Sequence, residues 1–460
     1  MKKSSILLLI LLLVVGMILA ACGGAATPEP AAEQPAAPAE EEAAPAEEEA
    51  APTEAPMEEE APAEKVTVTW WHISTQEDQA AFLQSVADEF MAENPNVEIE
   101  ITILENEAFK SKMTTVMQSG EPPDLFQSWG GGVMNEYVEA GMMKDITDDL
   151  KQDGWGDSVA PGALGVYSYQ GKVYGIPHDM GMVGMWYNKA IFKEAGIDAP
   201  PATWAELLDD VQKIKDAGYI PITVGEGDKW PGHFWWVYLA TRIGGQEAFD
   251  AAASGSGSFA DAPFVEAGKK LQELIALEPF PDGYLGLNYG EAAGIFGNKE
   301  AAMQLMGQWD INVQKDNSAS GEGVGEDLSW FPFPAVEGGA GAPTDAMGGG
   351  NGWGVGKDAE PEAIEFLRHL TSKEVNCKQA EMGMSLPTIK GTGECVQDPL
   401  LKIIQENAGK AEYFQLYYDQ ALPPAVGATV NDATQELFAG TKTPEEVAQT
   451  IQDSFVQETQ

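Results

Sequence analysis

The chain has little positive charge and almost no arginine. Its 460 residues include 26 lysines and arginines against 73 aspartates and glutamates, a formal net charge of −47. Arg242 and Arg368 are the only arginines. Such an acidic protein, with so few guanidinium groups, repels nucleic acid and other anions. We therefore expect no nucleic-acid partner and a ligand that is neutral or cationic.

Cysteine and histidine are also scarce. The three cysteines are Cys22, Cys377 and Cys395, and the four histidines are scattered along the chain. No group of these residues has the spacing of metal ligands, so we expect neither a metal nor another cofactor. In an exported protein two cysteines are more often a disulfide than two free thiols, which makes Cys377 and Cys395 a possible pair.

The short motifs that mark several enzyme classes are missing. The sequence has no G-x-S-x-G and no H-E-x-x-H, and GWGVGK at 352–357 lacks the Ser or Thr and the glycine spacing of a phosphate loop. The acidic run at 145–157 lacks the glycine and the closing glutamate of a calcium loop. A glycosidase needs only two carboxylates at a set separation, so a glycan-degrading enzyme remains an alternative.

The N-terminal apolar run, residues 6–19, is shorter than the ~20 residues of a membrane-spanning helix. Two lysines precede it and Leu19-Ala20-Ala21-Cys22 follows it. This pattern predicts a secretory signal peptide at 1–21 and resembles a bacterial lipoprotein box. We expect Cys22 to become the acylated first residue that anchors the protein outside the cell membrane. An ordinary signal peptide followed by an incidental cysteine is the alternative.

Residues 23–64 are rich in Ala, Pro and Glu. They include thirteen glutamates and no Lys or Arg, so they have no apolar surface to bury and their charges repel. We expect 22–64 to be a lipidated cysteine followed by a disordered tether. With those glutamates and the two N-terminal lysines set aside, 60 acidic and 24 basic residues remain in the body of the chain.

From residue 65 onward, strand and helix patterns alternate. Alternating β-branched residues at 66–69 are followed by a helical pattern at 79–94, a strand at 97–104, a helix at 109–120 and a strand at 122–129. This order predicts a parallel sheet with helical crossovers. Three capping boxes, at 203–206, 371–374 and 443–446, mark further helix starts. The body is therefore expected to be α/β.

Six segments follow one another along the body of the chain. They are FMAENPNVEIEI (90–101), SGEPPDLFQSW (119–129), GKVYGIPHDMGMVGMWYNKAIFKEAGI (171–197), PATWAELLDDVQKIKDAG (201–218), AAMQLMGQWDIN (301–312) and AMGGGNGWGVGKDAEPEAIEFLRHLTSKE (346–374). In this order they resemble the maltose-binding-like, sugar-binding group of solute-binding proteins of bacterial ABC importers. The resemblance runs from about residue 66 to the C-terminus. No single segment decides it, but the lipoprotein box and tether fit the same family.

The resemblance implies a type II periplasmic-binding-protein fold with two lobes and a hinge. The N-terminal lobe would comprise 65–178 and 352–386, and the C-terminal lobe 179–351 and 387–460. Each lobe would have a sheet that is not purely parallel. The ligand would lie in the cleft between the lobes, and membrane permease subunits would be partners of a monomeric, extracytoplasmic receptor without enzyme activity.

A sugar presents hydroxyl groups and a weakly apolar ring face, which aromatic side chains and fixed polar groups recognise. The resulting candidates are His72, Ser74, Trp129, Asp179, Trp235, Trp236, Trp309, Asp310, Asn351 and Trp353. His72 and Ser74 share a side at the end of the first strand, whereas Trp70 and Trp71 are expected in the core. The glycines after Trp129 would let the backbone approach a ligand. One of Trp235 and Trp236 is also expected in the core.

The sequence therefore predicts a lipid-anchored receptor that binds a carbohydrate, specifically an oligosaccharide, and delivers it to an ABC importer. The alternative within the same fold is a receptor for a polyamine or another cationic solute. Asp179, Asp310 and Asp419, together with the aromatics, suit such a ligand through ion pairing and cation–π contact.

Overall fold

The computed structural model describes residues 65–459. The predicted signal peptide, the acylation of Cys22 and the tether lie outside the described residues. Within 65–459, no helix is both long enough and apolar enough to cross a membrane.

The described chain alternates strands and helices. The strands are β1 (Val66–His72), β2 (Val97–Ile103), β3 (Leu125–Ser128), β4 (Ser168–Tyr169), β5 (Lys172–Val173), β6 (Gly175–Asn188), β7 (Ile220–Thr223), β8 (Ala301–Gly307), β9 (Leu328–Phe331), β10 (Ala346–Val355) and β11 (Phe414–Leu416). The first helices are α1 (Glu77–Glu93), α2 (Asn106–Ser119), α3 (Gly131–Glu139), α4 (Trp155–Ser158), α5 (Pro161–Val166), α6 (Lys189–Glu194), α7 (Trp204–Asp216), α8 (Trp230–Ala253) and α9 (Ala262–Ile275). The remaining helices are α10 (Tyr289–Gly297), α11 (Asp310–Asp316), α12 (Pro361–Leu370), α13 (Lys373–Glu381), α14 (Pro399–Ala408), α15 (Tyr418–Ala421), α16 (Pro424–Phe438) and α17 (Pro444–Thr459).

The main sheet is mixed. Its strand order is β2-β1-β3-β10-β6-β8-β7, with β11 paired to β10 and β9 paired to β6. β1 is parallel to both β2 and β3, as predicted from the alternation of strands and helices. β10 runs antiparallel to β3 and β6, so the sheet is not purely parallel.

The long strand β6 joins two halves of the body. Its segment 175–182 pairs with β10, and its segment 183–188 pairs with β8 and β9. We call the side with β1, β2 and β3 the first half, and the side with β7, β8 and β9 the second half. Each half has its own hydrophobic core. The connection between the halves therefore depends strongly on β6 and β10.

Two of the three predicted capping boxes form. Those at 203–206 and 443–446 have both reciprocal hydrogen bonds. The prediction at 371–374 is wrong, because the Thr371 hydroxyl donates to the carbonyl of Leu367 in the preceding helix. Ser372 is the N-cap instead, and its hydroxyl accepts a hydrogen bond from the backbone N–H of Val375.

A disulfide joins Cys377 in α13 to Cys395, with the two Cα atoms 5.3 Å apart. The segment it closes runs beside β6, where Pro387 forms an antiparallel β-bridge with Asp179. There the Thr388 hydroxyl donates to the carbonyl of Pro177, 2.7 Å away, and the Leu386 backbone N–H donates to Asp179, also at 2.7 Å. The disulfide thus closes the loop that contacts the strand joining the two halves.

The double substitution of Cys377→Ser and Cys395→Ser should lower the free energy of unfolding by about 3 kcal/mol, because opening the loop restores entropy to the unfolded chain. Urea unfolding of the oxidised protein and the double variant measures this difference. Dithiothreitol should destabilise the parent protein and leave the variant unchanged. Equal stabilities would contradict the prediction.

Candidate ligand-binding cleft

A cleft of about 1320 Å³ lies between the two halves. Ser74 and Trp129 line it from the first half, and Trp309 lines it from the second. Asp179 of β6 and Asn351 of β10 lie at its floor, where the two strands pass from one half to the other. The cleft is therefore bounded by both halves and by the strands that join them.

Seven large aromatic side chains line the cleft. They are Trp129, Trp230, Phe234, Tyr289, Trp309, Trp353 and Tyr417. Phe234 and Tyr417 stack with centroids 5.1 Å apart, and the Trp230 ring meets the Tyr289 ring edge-on, also at 5.1 Å. The Trp309 ring lies over Gly307, where a Cβ atom would come within 2.2 Å of it. The cleft thus offers flat apolar surfaces that packing holds in place.

The floor of the cleft carries a chain of side-chain hydrogen bonds. Gln127 of β3 donates to the Asn351 amide oxygen at 3.0 Å, and Asn351 donates to Asp179 at 2.7 Å. Gln308, which follows β8, donates to the same Asp179 oxygen at 2.8 Å. The backbone N–H of Leu386 donates to the other oxygen at 2.7 Å. This polar chain connects the first half to the second through Asp179.

Burial dominates the ionisation of the floor residues. It raises the pKa of Asp179 to about 7, against the opposing effect of its N–H donors. Burial also lowers the pKa of His178 to about 3, so that imidazole is neutral at physiological pH. His178 is the bulged residue of β6, because Asn351 pairs with Asp179 and Gly352 pairs with Pro177.

Trp309 and Asp310 have different positions. Trp309 lines the cleft, whereas Asp310 is fully buried behind it. One Asp310 oxygen accepts a hydrogen bond from the Tyr289 hydroxyl at 2.8 Å, and the other has no partner among the described residues. Burial raises the pKa of Asp310 from 3.8 to about 7. Asp310 therefore positions a cleft tyrosine and does not itself face the ligand space.

The structure brings six of the ten candidate residues to the cleft: Ser74, Trp129, Asp179, Trp309, Asn351 and Trp353. Of these, Asp179 and Trp353 are almost fully buried in the cleft wall, each with 1% of its surface exposed. Like Asp310, the candidates His72, Trp235 and Trp236 are fully buried and do not line it. His72 packs on Trp70, with ring centroids 4.8 Å apart, because residues 70 and 72 share one face of β1. Trp235 and Trp236 of α8 both lie in the core of the second half, where one of the two was expected. These placements correct the expected positions of His72, Trp235, Trp236 and Asp310.

Trp70 is in the core as expected, but Trp71 is only half-buried, with the Lys112 ammonium 4.3 Å from its ring centroid. The three glycines after Trp129 do not serve the expected approach to a ligand. They pack against the backbone carbonyls of Val166, Gln420 and Leu422, where a Cβ atom would come within 2.5 to 2.6 Å. These glycines therefore support packing between segments of the body.

Sequence reasoning missed several cleft residues. Gln127, Trp230 and Tyr289 line the cleft, and Gln308 lies directly beneath it. Tyr289 opens α10 directly after the N-cap Asn288, and Trp230 opens α8 before a proline, so both stand at helix starts. An aromatic residue at a helix start was the available signal. The sequence around Gln127 and Gln308 gave no such signal, because only the fold brings these two side chains toward Asp179.

Two α/β halves joined by long strands, with an aromatic cleft between them, define the class of solute-binding receptors. The chain belongs to the bacterial extracellular solute-binding protein family, whose model matches residues 73–376. Its fold is the maltose-binding-like, type II periplasmic-binding-protein fold that the sequence predicted. Family membership also confirms the predictions of an ABC-transporter solute-binding protein, not an enzyme, that acts outside the cytoplasm.

Similar proteins cover nearly the whole described body. A solved structure from work on xylan utilization by Caldanaerobius polysaccharolyticus is 30% identical and covers 86% of this chain and 100% of that chain, with a TM-score of 0.80. A chitin oligosaccharide binding protein is 27% identical over 86% of this chain and 98% of that one, with a TM-score of 0.78. The maltotriose-binding protein of Pyrococcus abyssi is 27% identical over 403 residues, which are 84% of this chain and 80% of that protein.

The raised pKa of Asp310 predicts how stability depends on pH. The native state keeps a proton that the unfolded state releases above pH 3.8, so this contribution to stability is lost as the pH rises toward 7. Asp310→Asn should make the decline in unfolding free energy over this range less steep, by up to about 1.4 kcal/mol per pH unit. Urea unfolding across the range measures the slope. Substitution of the exposed Asp282 by Asn is the control, and equal slopes for Asp310→Asn and the parent would contradict the prediction.

Proposed function

We propose that this protein is a lipid-anchored, extracytoplasmic receptor that binds an oligosaccharide in the interlobe cleft and delivers it to an ABC importer. The observation that carries the proposal is the cleft lining, which combines the partly exposed rings of Trp129, Trp230, Tyr289 and Trp309 with hydrogen-bonded amide and carboxylate groups. Aromatic faces suit sugar rings, while fixed hydrogen-bonding groups suit their hydroxyls.

The relatives and the size of the cleft support an oligosaccharide over a single sugar. One solved relative is named as a chitin oligosaccharide binding protein, and another comes from work on xylan utilization. A relative known by its sequence, from Pyrococcus abyssi, is named for maltotriose. The cleft volume of about 1320 Å³ exceeds the ~300–1,000 Å³ of ordinary small-molecule pockets. The cleft therefore has room for several linked rings.

The proposed mechanism is closure of the two lobes on the ligand. A ligand that touches Trp129 from the first half and Trp309 from the second half gains contacts only when the halves are close. Such differential contact favours the closed state, which the permease subunits would then recognise. The lobe boundaries remain those predicted: 65–178 with 352–386, and 179–351 with 387–460. The ligand leaves chemically unchanged.

Binding of a sugar panel tests the proposal. Tryptophan fluorescence of the protein should respond saturably, in the micromolar range, to one class among xylo-, chito-, malto- and cello-oligosaccharides. The response should persist in moderate salt, and no product should form. A response to spermidine alone would replace the ligand by a cationic solute, and product formation would instead indicate an enzyme. If no sugar of the panel changes the fluorescence, the carbohydrate assignment is wrong.

Trp309→Ala tests whether the cleft holds the oligosaccharide that the fluorescence panel identifies. Loss of a stacking ring should weaken binding by about 10- to 100-fold, since burying a large apolar side chain is worth roughly 1.5–3 kcal/mol. The matched control is Trp71→Ala, which removes another half-buried tryptophan outside the cleft lining. Isothermal titration calorimetry measures both affinities. Equal weakening by the two variants would exclude Trp309 as a ligand contact.

The proposed anchor depends on Cys22. In cells fed an alkyne-tagged fatty acid, the parent chain should carry the label and sediment with membranes. Cys22→Ala should abolish the label and release the protein into the soluble extracytoplasmic fraction, because the acyl chains provide its membrane affinity. Cys377→Ser and Cys395→Ser together are the control and should leave labelling intact. A labelled Cys22→Ala variant would refute the anchor.

A further inference from the structure

The cleft presents mostly negative charge to its ligand. Six carboxylate side chains line it besides the buried Asp179: Glu77, Asp78, Glu105, Asp228, Asp316 and Asp419. Lys110 is the only lysine or arginine in the lining, and its ammonium group already pairs with Glu107 at 3.0 Å. The carboxylates of the cleft would therefore repel a carboxylate group on a ligand and attract an ammonium group.

Asp419 has fewer and longer hydrogen bonds than Asp179, the carboxylate at the floor of the cleft. Asp179 accepts three hydrogen bonds of 2.7 to 2.8 Å, whereas the nearest donor to Asp419 is the Asn431 amide at 3.4 Å. The Asp419 side chain is only 10% exposed. No lysine or arginine of the described chain lies within ion-pair distance of it. Asp419 thus combines near-complete burial with a weakly satisfied carboxylate that lines the ligand space.

His233 lies behind Asp419 but does not cancel its charge. The His233 Nε2 atom is 3.8 Å from the nearer Asp419 oxygen, and the imidazole is fully buried. Burial lowers the pKa of His233, and the negative charge of Asp419 acts in the opposite direction with a smaller effect. The imidazole therefore remains neutral, with neither nitrogen hydrogen-bonded in the described part of the protein.

Packing holds Asp419 in place. Helix α16 approaches its backbone so closely that a Cβ atom on Gly427 would come within 2.7 Å of the Asp419 Cα atom. Tyr417, two residues earlier, also lines the cleft and stacks on Phe234. The carboxylate consequently stands beside an apolar surface, where electrostatic interactions are stronger than in bulk water.

We propose that the cleft selects oligosaccharides by charge, and that Asp419 is the main residue that determines this selectivity. The proposal rests on the carbohydrate-binding function proposed above. A sugar carrying an ammonium group, such as a deacetylated amino sugar, binds more tightly than a neutral sugar of the same length and linkage. A sugar carrying uronic acid groups is rejected. The ammonium group supplies the strong donor that Asp419 lacks.

Three β-1,4-linked trisaccharides test the proposal: cellotriose, the glucosamine trimer and the glucuronic acid trimer. Calorimetry on the full-length protein at low salt should show the glucosamine trimer binding at least about tenfold more tightly than cellotriose. The glucuronic acid trimer should show no binding. The preference should shrink as salt rises from about 0.01 M to about 1 M, because the screening length falls from ~30 Å to ~3 Å.

Asp419→Asn separates charge from shape. It should reduce the affinity for the glucosamine trimer far more than the affinity for cellotriose, whereas a preference caused by shape would survive. Asp282→Asn removes one exposed charge outside the cleft and should leave the preference in place, which separates local from overall charge. Circular dichroism checks that each variant is folded.

Two results would overturn charge selection. One is equal affinity for the glucosamine trimer and cellotriose, and the other is no binding of the glucosamine trimer at all. Either result would leave the receptor function standing if a neutral oligosaccharide of the fluorescence panel binds. The proposed carbohydrate receptor itself fails if no sugar of that panel binds, if only spermidine binds or if product forms.

Discussion

The buried carboxylate of Asp179 is the interaction on which the junction of the two halves depends. It stands on β6, opposite Asn351 of β10, and binds Gln308 from the second half. Through Asn351 it also reaches Gln127 in the first half. A buried carboxylate without these donors would carry a large desolvation cost, so the donors must stay in place. The same group therefore organises the strand crossing and the floor of the cleft.

The aromatic walls depend on a second constraint, which is close packing beside glycine. Trp309 occupies space that a side chain at Gly307 would fill, and Tyr417 occupies space that one at Gly349 would fill. Behind the walls, Asp310 holds the hydroxyl of Tyr289. The ring faces are thus fixed before a ligand arrives, which reduces the entropy lost on binding. Rigid walls on two halves suit a receptor that recognises its ligand by closing.

Charge adds a third property to the cleft. The body is acidic overall, but overall charge mainly affects solubility and long-range attraction. The carboxylates of the cleft act at short range, and Asp419 does so from a nearly buried position without a cationic partner in the described residues. Its neighbour His233 remains neutral because it is buried. The proposed preference for ammonium-bearing sugars therefore comes from local desolvation and not from net charge.

Much of the fold followed from local sequence signals. The alternation of strands and helices in the first 65 residues of the body, two of the three capping boxes and the parallel pairing of β1 with β2 and β3 were all predictable. The third capping box failed because two adjacent hydroxyls compete, and Thr371 bonds to the preceding helix. Helix propensity and the hydrophobic pattern predict that a helix forms, but they do not decide which of two neighbouring hydroxyl groups caps it.

The sequence by itself determined the class of protein and the order of the first strands and helices. It also identified a set of aromatic and polar side chains that suits a sugar ligand. Six of the ten candidate residues reach the cleft, because residues at strand ends and strand crossings meet there in this fold. Only the tertiary structure decided that His72, Trp235, Trp236 and Asp310 are buried. Local sequence looks the same whether such a side chain faces a cleft or a core. It alone also joined Gln127 to Gln308 through Asp179. Those contacts link residues far apart in the chain, and no local pattern encodes them.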